Sequence, residues 1–459
     1  MNKEKLFHSG RTASVVSGFF VLTFALMISI VVKSGLITGI NSEVDAKEDS
    51  LIRSATMEIT TEGNFVDGNG DPITLAEEPG EEAEILFDES YSHLIGIRTP
   101  NGKVSGLRKG LFSYLFFGGD DRVGSSVQLT TDNALQEYCY QVLGKREGSV
   151  IVMDAKTGAL LALTSRSSAE QGYDAELYNE NYNLYSGYDA MFIDRATMAE
   201  DPPGSTFKII TAAAMIENGM GDYIYDDIDG VYEVNGAGIH NAGNGIYGTG
   251  IDLEKALNKS INVYFASAAV EMAGHELNDM AQRFLLNQEI VLDFTRLESN
   301  FDLGFSNNKS LRAQAGFGQG NTVMSPLHVA MIMGAVMNDG KIMRPYMIEQ
   351  IKDDGEVCYT KEEMVLSEAI QPETAAVLKK YLRSTAEVSY GYTQERYGMV
   401  YAKTGTADQS NGKNHIYMLV GLETEERDYV ILIDSRNVDR TSSDLVDPAR
   451  SIIDYLLTM

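Results

Sequence analysis

"DPPGSTFKIITAAAMI", residues 201–216, sets a serine directly behind Pro-Pro-Gly and a lysine three residues further on, ahead of a run of small apolar residues. Serine is a favoured helix cap, and Pro and Gly mark the start of a helix. Residues i and i+3 also share one helical face, so Lys208 stands as a candidate base for a Ser205 nucleophile. The pattern recurs at Ser306 with Lys309 and at Ser410 with Lys413, so spacing alone does not choose among the copies. Context does. Ser306 and Ser410 sit in polar sequence with no apolar helix behind them.

Two further short patterns belong with it. Ser-x-Asn occurs at Ser260 with Asn262 and at Ser306 with Asn308; Lys-Thr-Gly occurs at Lys156 and at Lys403. "DAKTG", 154–158, lies between two short apolar runs and reads as the turn of a β-hairpin. Lys403 instead ends a strand-like run, "GMVYAK". Ser260 falls between two helical patterns, "IDLEKALNK" and "INVYFASAAV". Helical patterns dominate from Phe207 to Leu286, and "GMVYAKTGTAD", "HIYMLVGLE" and "DYVILIDSR" read as three late strands before a closing helix. With the early hairpin, these strands predict an α+β domain whose sheet joins the first and last parts of the chain.

At 459 residues the chain has room for two or three domains. A formal charge of −29 argues against nucleic acid as the main partner. Cys139 and Cys358 are too far apart in sequence for a Cys-x-x-Cys site, so neither metal nor redox cofactor is expected. Lys3, Lys5 and Arg11 precede Ala13–Val32, an uncharged apolar run. As a helix it would be about 30 Å long, enough to cross a bilayer. The basic flank predicts a cytoplasmic N-terminus, residues 1–12, and an extracytoplasmic remainder. Residues 33–124, rich in acid and turn residues, read as a stalk or accessory domain, and 125–459 as the main domain.

The order Ser205/Lys208, Ser260/Asn262, Lys403-Thr404-Gly405 resembles that of class B penicillin-binding proteins, the D,D-transpeptidases that cross-link peptidoglycan. "VQLTTDNALQ", "VIVMDAKTGALLAL", "IDRAT", "PPGSTFK", "IHNAGN", "GFGQGNTVMSPLHVA" and "AKTGTAD" all fall in that family's order, and the accessory stretch is most similar to the short elongation or spore type. The resemblance implies a β-lactamase-like serine acyltransferase fold, with an antiparallel sheet and helices. It implies D-Ala-D-Ala stem peptides and β-lactams as ligands, no cofactor, and a polytopic membrane glycosyltransferase as partner. It also implies Ser205 as nucleophile, Lys208 as base, Ser260 as proton relay, Asn262 holding Lys208, and Lys403, Thr404, Gly405 and Thr406 receiving the substrate carboxylate. Ser205 and Thr406 would offer backbone N–H groups to an oxyanion. His240 and Asn241 read as loop supports. The accessory region departs from the family's R-G-x-I-x-D-R-N-G: Glu62 and Gly68 replace arginines, and Arg108 replaces the glutamate after Ser-Gly-Leu. These changes argue against conventional packing between stalk and catalytic domain.

The same residues would serve a D,D-carboxypeptidase or a β-lactamase, which differ in what attacks the acyl group, or a non-catalytic β-lactam-binding scaffold. A free lysine near pKa 10.4 must lose its proton to act as a base, which costs about 4.6 kcal/mol at neutral pH. Burial and a second cation, Lys403, would lower that cost.

Overall fold

Residues 150–153 alternate between two hydrophobic cores, Val150 and Val152 facing one and Ile151 and Met153 the other. Strand β1 (Gly148–Asp154) is buried along its whole length, as a strand covered on both faces must be. In the computed structural model it pairs with β2 (Leu160–Arg166) through the predicted hairpin, where Asp154 Oδ1 accepts the N–H groups of Lys156 and Thr157. Its other neighbour is β5 (Asp428–Val438), followed by β4 (Asn414–Glu423) and β3 (Met399–Asp408), giving an antiparallel sheet in the order β3-β4-β5-β1-β2. The sheet therefore does join an early hairpin to three late strands, and β3 is one of its two edges.

The structure describes residues 53–96, 98, 104–117, 122–166, 194–198, 200–272, 275–303, 308–409 and 411–459. The apolar run 13–32 and the serines of the two rival Ser-x-x-Lys copies lie outside these residues. No helix among the described residues is long and apolar enough to cross a membrane. Contacts divide the chain into residues 1–56 with 100–103, of which 53–56 are described, and a unit formed by 57–99 with 104–459. The sheet, its helices and the residues of the candidate site all belong to the second unit.

Helices cover both faces of the sheet. Helix α1 (Asn133–Leu143), capped by the Asp132 carboxylate on the Leu135 N–H, lies on one face with the closing helix α7 (Val446–Leu456). The other face meets α5 (Pro326–Met337), which is buried at every position and starts with Ser325 as cap and Pro326 in the first turn. Beyond α5 lie α2 (Lys208–Glu217), α3 (Leu253–Lys259), α4 (Asn262–Glu271) and α6 (Pro372–Tyr390).

One expectation needs correction. The stretch from Phe207 to Leu286 is interrupted by two small antiparallel sheets, Tyr225–Asp227 with Gly248–Ile251 and Val231–Val234 with Ala237–His240. The second is a hairpin turned by Asn235-Gly236, both with positive φ, the combination a type I′ turn demands. That dipeptide is the signal in the sequence. The accessory region also closes on its own departures. Arg108 and Glu62 are both essentially inaccessible, and Arg108 Nε donates to Glu62 Oε1 at 2.6 Å. Two of the positions that depart from the family pattern, Glu62 and Arg108, therefore meet in one buried ion pair. The other guanidinium N–H groups reach Glu82 Oε1 at 2.9 Å, Gly96 O at 2.6 Å and Ala83 O at 2.8 Å.

Candidate active site

The Ser205 turn is built by close approach of three backbones. Gly204–Thr206 form a 3₁₀ turn that runs directly into α2, whose cap position is Phe207. Ser205 therefore sits two residues ahead of the cap position, and its hydroxyl does not cap the helix. Gly204 has φ +54°, and a Cβ there would stand 2.8 Å from Thr406 O. Its N–H donates to Gly318 O at 3.0 Å, and a Cβ on Gly318 (φ +78°) would lie 2.0 Å from Gly204 O. Only glycine fits either position. "GFGQG" is thus the tight turn that backs the Ser205 loop, and β3 presses on its other side.

Lys208 opens α2 and is fully buried, with three polar contacts. Its Nζ donates to Ser260 O at 2.7 Å and Asn262 Oδ1 at 2.8 Å, and lies 3.1 Å from Ser260 Oγ. Lys403, also fully buried, donates from Nζ to the same Ser260 Oγ at 2.9 Å and to Thr404 O at 3.3 Å. One hydroxyl thus joins two amines, and none of these partners is a carboxylate. Burial, reinforced by the charge of Lys403, holds the Lys208 amine well below the ordinary lysine range. Burial pushes Lys403 down to about 7. Burial lowers both amines, and because the Lys403 charge acts on Lys208 in addition, Lys208 is the one pushed further toward neutrality. Among the described residues no hydrogen bond joins Ser205 to Lys208.

The junction of α3 and α4 makes this geometry. Ser260 ends α3 in the left-handed conformation (φ 54°, ψ 46°), which costs a non-glycine residue about 1–2 kcal/mol. That turn aims both its carbonyl and its hydroxyl at Lys208. Asn262 starts α4 and donates from Nδ2 to His240 O at 3.0 Å, which orients Oδ1 toward Lys208. Asn241 Oδ1 accepts the Val263 N–H at 3.2 Å, while its Nδ2 donates to Asp227 Oδ2 at 2.9 Å. The "IHNAGN" loop therefore supports the start of α4, as its sequence suggests.

Along β3, Thr404 donates its N–H to the Tyr390 phenol at 3.1 Å, so Thr404 and, two residues on, Thr406 turn their backbone groups outward from the sheet. Gly405 lies against Pro203 O, where a Cβ would come to 2.8 Å. Thr406 Oγ1 donates to Ser442 Oγ at 3.0 Å and accepts the Ser442 N–H at 3.3 Å.

Several neighbours carry no sequence signal. Asp201, at the head of the Ser205 segment, lies 3.2 Å from His415 Nδ1, and His415 Nε2 is 2.8 Å from Asp434 Oδ2. The two carboxylates raise the His415 pKa against the opposing pull of its burial. This buried bridge fastens the Ser205 segment to β4 and β5. For His415 only the strand is legible, and nothing in the sequence marks Ser442 or Tyr390. Among the described residues no group of three or more His, Cys, Asp or Glu is arranged to hold a metal.

Residues 148–452 match the family model of the penicillin binding protein transpeptidase domain. The chain is 28% identical over 349 residues to penicillin-binding protein 3 of Bacillus subtilis, covering 70% of this chain and 49% of that protein. It is 27% identical over 315 residues to the peptidoglycan D,D-transpeptidase PbpA of Mycolicibacterium smegmatis, covering 64% and 62%. It thus spans about half to three-fifths of these curated relatives. Among solved structures, the D,D-transpeptidase domain of a peptidoglycan glycosyltransferase from Eggerthella lenta superposes with a TM-score of 0.77 at 26% identity, covering 87% of this chain and 98% of that one.

Proposed function

This chain belongs to the penicillin-binding protein transpeptidase family, and we propose that it is a class B enzyme that cross-links peptidoglycan stem peptides through an acyl-enzyme on Ser205 and is trapped there by β-lactams. The observation that carries the reading is the pair of fully buried lysine amines sharing the Ser260 hydroxyl without a carboxylate partner. Such a pair lowers the cost of a neutral amine, which a serine nucleophile requires.

Neutral Lys208 donates its two N–H groups to Ser260 O and Asn262 Oδ1 and keeps a lone pair. That lone pair takes the Ser205 proton as Oγ bonds to the carbonyl carbon of the penultimate D-alanine. The oxyanion forms between the outward N–H of Thr406 and that of Ser205, in a turn held against β3. The C–N bond then breaks. The leaving amine takes the Ser260 proton, and Lys208 replenishes Ser260 across the 3.1 Å contact. An amine from a second stem peptide attacks the ester next, returns its proton along the same route and frees Ser205. Charged Lys403, with Thr404, Gly405 and Thr406, receives the terminal carboxylate.

The rest of the chain takes its place around this reaction. Ala13–Val32 anchors the chain with residues 1–12 in the cytoplasm, 33–124 act as a pedestal for the domain 125–459, and glycan strands come from a polytopic membrane glycosyltransferase. The uncharged run behind Lys3, Lys5 and Arg11 supports the anchor.

The test is intact-mass measurement of the full chain after incubation with benzylpenicillin, alongside Ser205→Ala. One stable adduct on the wild type and none on the variant is expected. No adduct with the antibiotic intact overturns the acyl-enzyme; no adduct with the antibiotic consumed points to a β-lactamase.

A further inference from the structure

Thr404 and Thr406 stand two residues apart on one edge of β3, yet their hydroxyls are committed differently. Thr406 Oγ1 both donates to and accepts from Ser442. Thr404 Oγ1 has one partner among the described residues, the Tyr390 phenol oxygen at 2.8 Å. That phenol already accepts the Thr404 N–H at 3.1 Å. A phenol has a single proton to give. Either hydroxyl could donate across this contact, but among the described residues Thr404 Oγ1 is the only acceptor within reach of the phenol, which favours the phenol as donor. Thr404 Oγ1, receiving that proton, must turn its own away from Tyr390.

We infer that Tyr390 is a positioning residue: by donating to Thr404 Oγ1 it sets that hydroxyl as a donor toward the terminal carboxylate of the substrate. The inference rests on the transpeptidase reading and sharpens it, because it makes Thr404 rather than Thr406 the hydroxyl that greets the carboxylate. The phenol is held for the task. Tyr390 is the last residue of α6, the left-handed Gly391 behind it donates its N–H to Ala386 O and Glu387 O, and its own carbonyl accepts from Arg450 Nη2 at 3.3 Å. Burial raises its pKa, so the phenol keeps its proton across the working range. Without it the Thr404 hydroxyl is free to rotate, and a carboxylate, which only accepts, meets a donor only part of the time.

The experiment compares Tyr390→Phe with wild type in time courses of acylation, separating the binding constant K from the chemical step k2. The probes are benzylpenicillin, which bears a free carboxylate, and its methyl ester. For Tyr390→Phe we expect K for benzylpenicillin to rise about ten-fold, k2 to stay within about two-fold, and neither constant to change for the ester. Thr404→Val must show the same carboxylate-specific loss, and adding Tyr390→Phe to it must do nothing more. Equal losses on acid and ester, an effect on k2 alone, or additive losses in the double variant overturn the inference. A wild type that neither probe acylates overturns the underlying transpeptidase reading instead. Should Tyr390→Phe fail to fold, Tyr390→Leu takes its place: a loss confined to the free acid supports the inference, and equal behaviour on both probes defeats it.

Discussion

Two of the places where this molecule buries cations treat them oppositely. In the accessory region Arg108 is surrounded by the Glu62 and Glu82 carboxylates and two backbone carbonyls. In the candidate active site Lys208 and Lys403 are buried just as deeply with only hydroxyl, amide and carbonyl oxygens for company. Supplying carboxylates keeps a buried cation charged and makes it a fastener. Withholding them drives the amine toward neutrality, the state in which it could serve as a base. Depth is the same, but the partners differ and so do the groups, since a guanidinium keeps its charge in a protein and a buried ammonium can give up its proton.

The largest test of that contrast is Lys208→Met. Loss of the base should slow acylation by benzylpenicillin about 10²- to 10⁴-fold, while thermal stability holds or rises, because a desolvated amine is replaced by an apolar side chain of similar shape. A variant that unfolds would show that Lys208 is structural. Arg108→Met should do the reverse. It strands Glu62 in the interior at a cost of about 3–5 kcal/mol, read by denaturant unfolding, with little effect on acylation of whatever remains folded. Glu62→Arg combined with Arg108→Glu swaps the two partners and should recover a substantial part of that loss. If it recovers nothing, the pair is not exchangeable.

The pH dependence of stability sharpens the comparison. With Lys403 depressed from 10.5 to about 7, the unfolded chain binds more protons between those values, so Lys403 makes stability rise with pH across that window. His415, raised by Asp201 and Asp434, works with the opposite sign. Its contribution is complete below the ordinary histidine pKa near 6.5 and is lost as pH climbs through the folded value. Melting temperatures across pH for Lys403→Met and His415→Gln should therefore differ from wild type with opposite slopes; parallel curves would refute the assignment. The smallest effect concerns Ser260. Ser260→Gly relieves the left-handed strain and should add up to about 1 kcal/mol of stability. It should also slow acylation markedly, since the hydroxyl between the two amines is gone. A Ser260→Gly enzyme that keeps its acylation rate would remove the relay from the mechanism.

Much of this is legible in one dimension. The order of Ser205, Lys208, Ser260, Asn262, Lys403 and Thr404 and the Asp154–Gly158 turn can be read from spacing and local chemistry. So can the late strands and the caps at Asp132 and Ser325. Such features are set by residues within a few positions of each other, where propensity and hydrogen bonding act directly. The Asn235-Gly236 hairpin is equally local but is hidden by the helical patterns on either side of it.

Residue order alone thus supplies the candidate site residues and the alternation that forms one antiparallel sheet from an early hairpin and three late strands. Which groups meet is settled in three dimensions. Glu62 finds Arg108 across 46 residues, Lys208 meets Ser260 across 52, and Lys403 reaches the same hydroxyl across 143. Asp201 and His415 close a bridge that no local pattern announces. Whether a buried charge becomes a fastener or a base depends on what the rest of the fold carries to it, and pairings made across such separations are set by packing rather than by local propensity.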